Sequence, residues 1–139
     1  MSRFIDPERA QFEAFKALPR DEPIQMLNLV RFNAEAQYDD GTVMSGADAY
    51  RLYGEASAPV FARVGGTIVW RGKPQVVLIG PEDEQWDTAF IARYPNAGAF
   101  LAMVTDDEYR KAVVHRQAAV LTSRLIRMAE LQVTPNFAD

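Results

Sequence analysis

His115 is the single histidine of the chain, and its imidazole is the one side chain whose ordinary titration falls near neutral pH. It stands in Val113-Val114-His115-Arg116, where a close Arg116 guanidinium would disfavour the protonated ring. It reads either as an acid/base group or as a helix histidine that faces solvent or is satisfied by a hydrogen bond. Trp86-Asp87 pairs an aromatic wall with a carboxylate, and Trp70 adds a second indole. Such a set suits a small organic ligand. Burial beside an indole would push Asp87 upward, toward the range of a general base. The plainer reading places both tryptophans in the core or at an interface between copies. Arg31 is an anion anchor or a strand-end ion pair, with an acid such as Asp87 as its mate. Asn28 is a cavity-lining amide or a satisfied core amide, because an unpaired polar group inside an apolar strand is costly. Tyr50, three residues before Tyr53, is a core aromatic whose hydroxyl could also hold an oxyanion.

Other chemistries are excluded by residue type. The chain has no cysteine, so thiolate metal sites, iron–sulfur clusters, disulfides and cysteine nucleophiles are out. One histidine cannot make a His-based metal triad within one chain, and Asp106, Asp107 and Glu108 read as a helix start rather than a carboxylate metal site. Gly65-Gly66 ends a helix and is not a phosphate loop, and no nucleophile-elbow motif supports a triad of His115 with Ser123. No metal and no cofactor are expected. The net charge is −4 with no Lys/Arg stripe, so nucleic acid is not an expected partner. No apolar run approaches the ~20 residues needed to span a bilayer. The first residues, Met-Ser-Arg-Phe-Ile-Asp-Pro-Glu-Arg, lack the apolar stretch of a signal peptide, so the expected location is cytoplasmic.

The elements that must position these residues follow from periodicity. Asp6-Pro7-Glu8 predicts a helix start, continued by Phe12, Phe15 and Leu18. Ile24 to Phe32 predicts a strand apolar on both faces: Ile24, Met26, Asn28, Val30 and Phe32 on one, Leu27, Leu29 and Arg31 on the other. Residues 33–45 are a polar loop. Gly46 to Val64 predicts a helix capped by Ser45, with a kink or break near Ala58 because of Pro59. Thr67–Arg71, Gln75–Ile79 and Trp86–Tyr94 predict strands, the last by alternation. Ala97–Val104 and Asp106–Val120 predict helices, the second capped by Thr105, and Leu121–Val133 a last strand.

The order is an N-terminal helix followed by β-α-β-β-α-β. That is an α+β, ferredoxin-like plan with an antiparallel sheet, in a single domain of 139 residues. Residues 1–23 form a helical extension and 24–133 the core. In this plan both helices cover one sheet face. The other would carry large apolar residues into water, which predicts a homodimer formed sheet to sheet.

Several short motifs then resemble the DUF1330 family. They are Tyr50, Ala58-Pro59-Val60, Gly65-Gly66 with Arg71-Gly72 five residues on, and Trp86-Asp87 leading into Phe90-Ile91-Ala92-Arg93-Tyr94-Pro95. Asp107-Glu108-Tyr109 matches the family's PEY-like helix start, with Asp in place of Pro. The likeness covers Met26 to Leu131. It implies the dimeric α+β barrel superfamily, in which two ferredoxin-like sheets close into a barrel. The family has no established function. Its wider superfamily implies monooxygenases, isomerases and decarboxylases as relatives. Two functions are therefore carried forward. One is a cofactor-independent enzyme acting on a small aromatic or carbonyl molecule, with His115, Asp87 and Arg31 as acid/base, second base and anchor. The other is a non-catalytic homodimer that binds a small molecule through Asn28, Tyr50, Trp70, Trp86 and Arg116, or that serves a structural role.

Overall fold

The structure is a computed structural model that describes residues 3–138; Met1 and Ser2, included in the signal-peptide reading, and Asp139 lie outside the described residues. Its elements are α1 (Arg9–Ala17), β1 (Ile24–Phe32), α2 (Gly46–Arg63), β2 (Thr67–Gly72), β3 (Thr88–Tyr94), α3 (Ala97–Val104), α4 (Asp107–Ala119) and β4 (Val120–Ala129). The four strands form one sheet in the order β2-β3-β1-β4, with every neighbouring pair antiparallel. This is the ferredoxin-like arrangement with two added helices, α1 before it and the short α3 between β3 and α4.

Burial sorts the two faces of β1. Ile24, Met26 and Val30 are buried and join Ala92, Tyr94, Val60, Phe100 and Tyr109 in the core beneath the helices. Each such large apolar side chain contributes roughly 1.5–3 kcal/mol when taken fully out of water. Leu27, Leu29 and Arg31 alternate with them and point to the opposite face, which no helix covers. Register carries that open face across the sheet, with Ile91 and Ile126 flanking Leu27 and Trp70 beside Ile91.

Several local expectations change. α1 begins at Arg9 after Glu8, with no side-chain cap, because Asp6 accepts instead from Gln117 Nε2 at 3.3 Å. Ser45 caps α2 as expected, its Oγ accepting from Asp48 N at 3.0 Å. The helix runs on through Pro59 without a break. Pro59 and Glu55 both lie on the exposed side, so water can meet the carbonyl that loses its partner. Gly65, at φ +85°, then closes the helix in a conformation that favours glycine. Asp106, not Thr105, caps α4, accepting from Glu108 N at 2.8 Å, while Thr105 Oγ1 turns back to Leu101 O at 2.8 Å and closes α3. β4 stops at Ala129, opposite Ile24, because β1 offers no residue beyond that point to pair with. β3 starts at Thr88 rather than Trp86. Gln75–Ile79 is not a strand; Lys73–Ile79 makes no backbone–backbone hydrogen bond among the described residues.

Candidate functional site

At one end of the open sheet face lies a cleft of about 270 Å³, lined by Phe4, Arg31, Glu84, Trp86, Thr122 and Arg124 among others. Its floor is the sheet. Arg31 and Thr122 are register partners on β1 and β4, and Arg124 lies opposite Leu29. Its rim is the loop that leads into β3. Asp87 fixes that loop: its N–H donates to Val30 O at 2.8 Å, and its carboxylate accepts from Phe32 N at 2.8 Å. Gln85 Nε2 closes the turn on Glu82 O at 2.8 Å. Trp86 is thereby held over the floor.

Two guanidiniums share this cleft in different states. Arg124 lies 5.0 Å from the Phe4 ring centre and 5.2 Å from that of Trp86, and its Nη2 pairs with Glu84 at 3.2 Å. Its charge is neutralised and its guanidinium lies over both rings as a cation–π contact. Arg31 reaches only the Asp83 carbonyl, at 3.4 Å, and is in no ion pair among the described residues. A half-buried cation beside an indole with no carboxylate mate is a ready anchor for a carboxylate or similar anion. Asp87 is exposed and occupied by the Phe32 N–H. Trp86 stacks on Arg124, so the burial expected of Asp87 is absent, and the two do not form a desolvated carboxylate pair. Nor is Asp87 the mate of Arg31.

The remaining predicted residues lie on the helix-covered side or apart. His115, on α4, meets Tyr38 of the β1–α2 loop, with Nδ1 and Oη 2.6 Å apart. Burial, then the nearby Asp40 charge, pushes the Tyr38 phenol above its ordinary value. Arg116 is a tie rod: its guanidinium donates to the Ile5 carbonyl and to Ser123 Oγ, the latter at 3.1 Å. The Tyr50 ring packs at a tilt on Phe32, 5.1 Å between centres, and on Tyr53, 5.4 Å. Burial raises its phenol well above the ordinary range, and neighbouring Tyr53 adds to this while Arg116 opposes it. Asn28 donates to the Met26 carbonyl at 3.1 Å. Trp70 stands alone on β2, 52% exposed, its ring lying over Gly72.

The structure thus brings Arg31 and Trp86 together and uses Asp87 to hold the loop between them. It leaves His115 in the helix layer, on the other side of the sheet. Phe4, Glu84, Thr122 and Arg124 were missed from sequence. Only Arg124 left a signal, as a charge inside an apolar strand. Among the described residues no group of three or more His, Cys, Asp or Glu side chains could hold a metal.

A four-stranded antiparallel sheet with helices on one face and an open cleft on the other defines a ferredoxin-like α+β protein. The family model for DUF1330, a domain of unknown function, matches residues 42–128, and the chain belongs to that family. That match begins after β1, later than the resemblance expected from Met26. RPA0582, a protein of unknown function from Rhodopseudomonas palustris, has a crystal structure 51% identical in sequence at a TM-score of 0.91, spanning 95% of this chain and 100% of that one. Its methylated form gives 52% identity and a TM-score of 0.92, over 95% and 98% of the two chains. The fold alone is shared with SnoaB, a cofactor-independent oxygenase from Streptomyces nogalater (17% identity, TM-score 0.52, 83% of this chain and 99% of that one). It is likewise shared with a dimeric ferredoxin-like protein of unknown function from Bacteroides fragilis (15% identity, TM-score 0.50, 78% and 96%). No curated protein matches the sequence. No helix among the described residues is long and apolar enough to cross a membrane.

Proposed function

We propose that the chain acts as a homodimer that binds a small aromatic anion between Arg31 and Trp86. The unpaired Arg31 guanidinium, facing an aromatic wall in a cleft of about 270 Å³, carries the reading. A volume of that order suits a compact ligand with one ring and one anionic group. Dimerisation is supported by the open face, where Leu27, Leu29, Trp70, Ile91, Ile126 and Met128 form an apolar field without cover. Charge is compatible with a second copy as the cover: two copies of one face meet, and on it Arg124 is paired with Glu84, and Arg93 with Glu130, within the same chain, which leaves Arg31 as the cation free to take a ligand. We also assign the protein to the cytoplasm, on the strength of its cysteine-free composition.

Salicylate, an aromatic carboxylate, is a suitable probe. Calorimetric titration of the wild type should show binding, and Arg31→Ala should weaken it ~10–100-fold, the loss expected for one charge-assisted hydrogen-bonded contact. Equal binding by the variant would end the anchor assignment.

A catalytic role has one observation in its favour, the 2.6 Å contact of Tyr38 with His115. In that reading the dyad moves a proton at His115 Nδ1, in a centre separate from the Arg31 cleft. His115→Ala that leaves an identified turnover intact would remove it.

A further inference from the structure

We infer that the second copy completes the cleft: the segment Gln75–Ile79 of one protomer lies over the Arg31–Trp86 cleft of the other, so that the ligand is enclosed only in the dimer. This rests on the dimer and cleft reading above and adds which part of the partner enters the site.

The segment itself needs a partner. Gln75-Val76-Val77-Leu78-Ile79 is rich in strand-forming residues, yet no strand of its own chain receives it. Val76, Leu78 and Ile79 are 77%, 88% and 92% exposed. Three neighbouring large apolar side chains standing free in water, on backbone without ladder bonds, mark a recognition segment. Nothing in the chain covers them, including the chain's own cleft.

Position selects the partner's cleft. The segment leaves β2 at Gly72, which pairs with Ala89, which pairs with Leu29, which pairs with Arg124. These four residues form one row across the sheet, with the start of the segment at one edge and the cleft at the other; beyond Ile79 the chain returns to the rim of its own cleft at Pro81. The edges are about 14 Å apart, three strand spacings. A two-fold axis parallel to the strands lays β2 of one copy over β4 of the other and keeps each row at its own height. The segment then meets the partner's cleft. An axis across the strands would instead carry it to the far end of the sheet, where the row reads Thr67, Arg93, Gln25, Met128 and Arg93 is tied to Glu130. Both ends carry an ion pair, Arg93 with Glu130 there and Arg124 with Glu84 in the cleft, but the cleft adds the rings of Phe4 and Trp86, against which an apolar segment is stabilised. The exposed Trp70, beside the exit of the segment, makes it continuous with the open apolar field.

The test uses the lack of native cysteine. Leu78→Cys carries the only thiol of the chain and is coupled to benzophenone maleimide. Native mass spectra of the wild type and of the labelled protein come first. A monomeric wild type overturns the dimer reading, and this inference with it; a dimer that only the label dissociates is decided by the complementation experiment below. In a labelled dimer, illumination should yield a covalent dimer on a denaturing gel, joined to peptides that contain Phe4, Trp86 or Thr122. A link confined to one chain, a link to peptides around Thr67 or Arg93, or no link in an intact dimer overturns the present inference alone and leaves the dimer standing. Complementation gives a second reading. Arg31→Ala and Val76→Ser/Leu78→Ser/Ile79→Ser homodimers should each lose salicylate binding at least tenfold. A mixed dimer of the two should recover one site per dimer, because one wild-type cleft then meets one wild-type segment. No recovery would mean that the segment does not act across the interface.

Discussion

The two faces of β1 are built from similar side chains and live different lives. Met26 and Val30 lie under the helices in contact with a closed core. Leu27 and Leu29, their neighbours in sequence, lie on a face that the chain leaves open. The difference is not hydrophobicity but supply: α1, α2, α3 and α4 all pack on the one side, and none is left for the other. The covered face secures the fold, and the open face carries the proposed binding cleft.

Charge placed on each face should separate the two roles. Val30→Lys buries an unpaired ammonium in the core and should cost more than ~4 kcal/mol, with loss of the folded far-UV signal. Leu29→Lys, one residue away, should leave the circular dichroism spectrum unchanged and convert the proposed dimer to monomers or insoluble protein by light scattering. A stable dimer of that variant would mean that this face is not the interface. Within the covered layer the effects are smaller. Tyr109→Phe removes the 2.9 Å contact between the Tyr53 and Tyr109 hydroxyls and should cost ~1 kcal/mol in urea unfolding. The weakest effect is in acid. Partial desolvation raises Asp106, but the Glu108 N–H, Arg63 and the Tyr109 N–H outweigh it and hold the carboxyl below its ordinary value. A lowered folded-state value gives stability that is present above the unfolded value, roughly pH 4, and lost as pH falls through the folded one. Asp106→Asn should therefore lower stability at neutral pH, where the charged carboxyl is favoured, and flatten its fall below about pH 4, so that variant and wild type converge in acid.

Much of this architecture was legible in the sequence. β1, α3 and most of α2 follow from periodicity and caps, and the ferredoxin-like order follows from the sequence of elements. The choice of face was not legible, because β1 is apolar on both sides, and that is itself the mark of a sheet with two covers. Gln75–Ile79 misled for the opposite reason: its residues favour a strand, but a strand needs an edge to pair with, and none in this chain takes it. In the site, Arg31 and Trp86 stand out by type. Arg124 does not, since only the pairing of β4 with β1, including the register shift at Arg31/Phe32, sets it beside them. His115 drew attention by rarity, which says nothing of location. Its partner Tyr38 lies in a loop whose path no periodicity predicts.

One further consequence concerns the first residues of the chain. Phe4 stacks on Arg124, its carbonyl accepts from Ser123 N at 2.8 Å, and the next carbonyl, of Ile5, is held by Arg116. The N-terminal segment is thus a seam stitched between cleft and helix layer, and Arg3 already sits within reach of the Leu121 carbonyl at 3.3 Å. An affinity tag fused ahead of Arg3 would lie close to the cleft and crowd the proposed ligand and partner sites. Handling at the bench follows from that stitch: the protein should be tagged at the other end, or cleaved clean before any binding is measured.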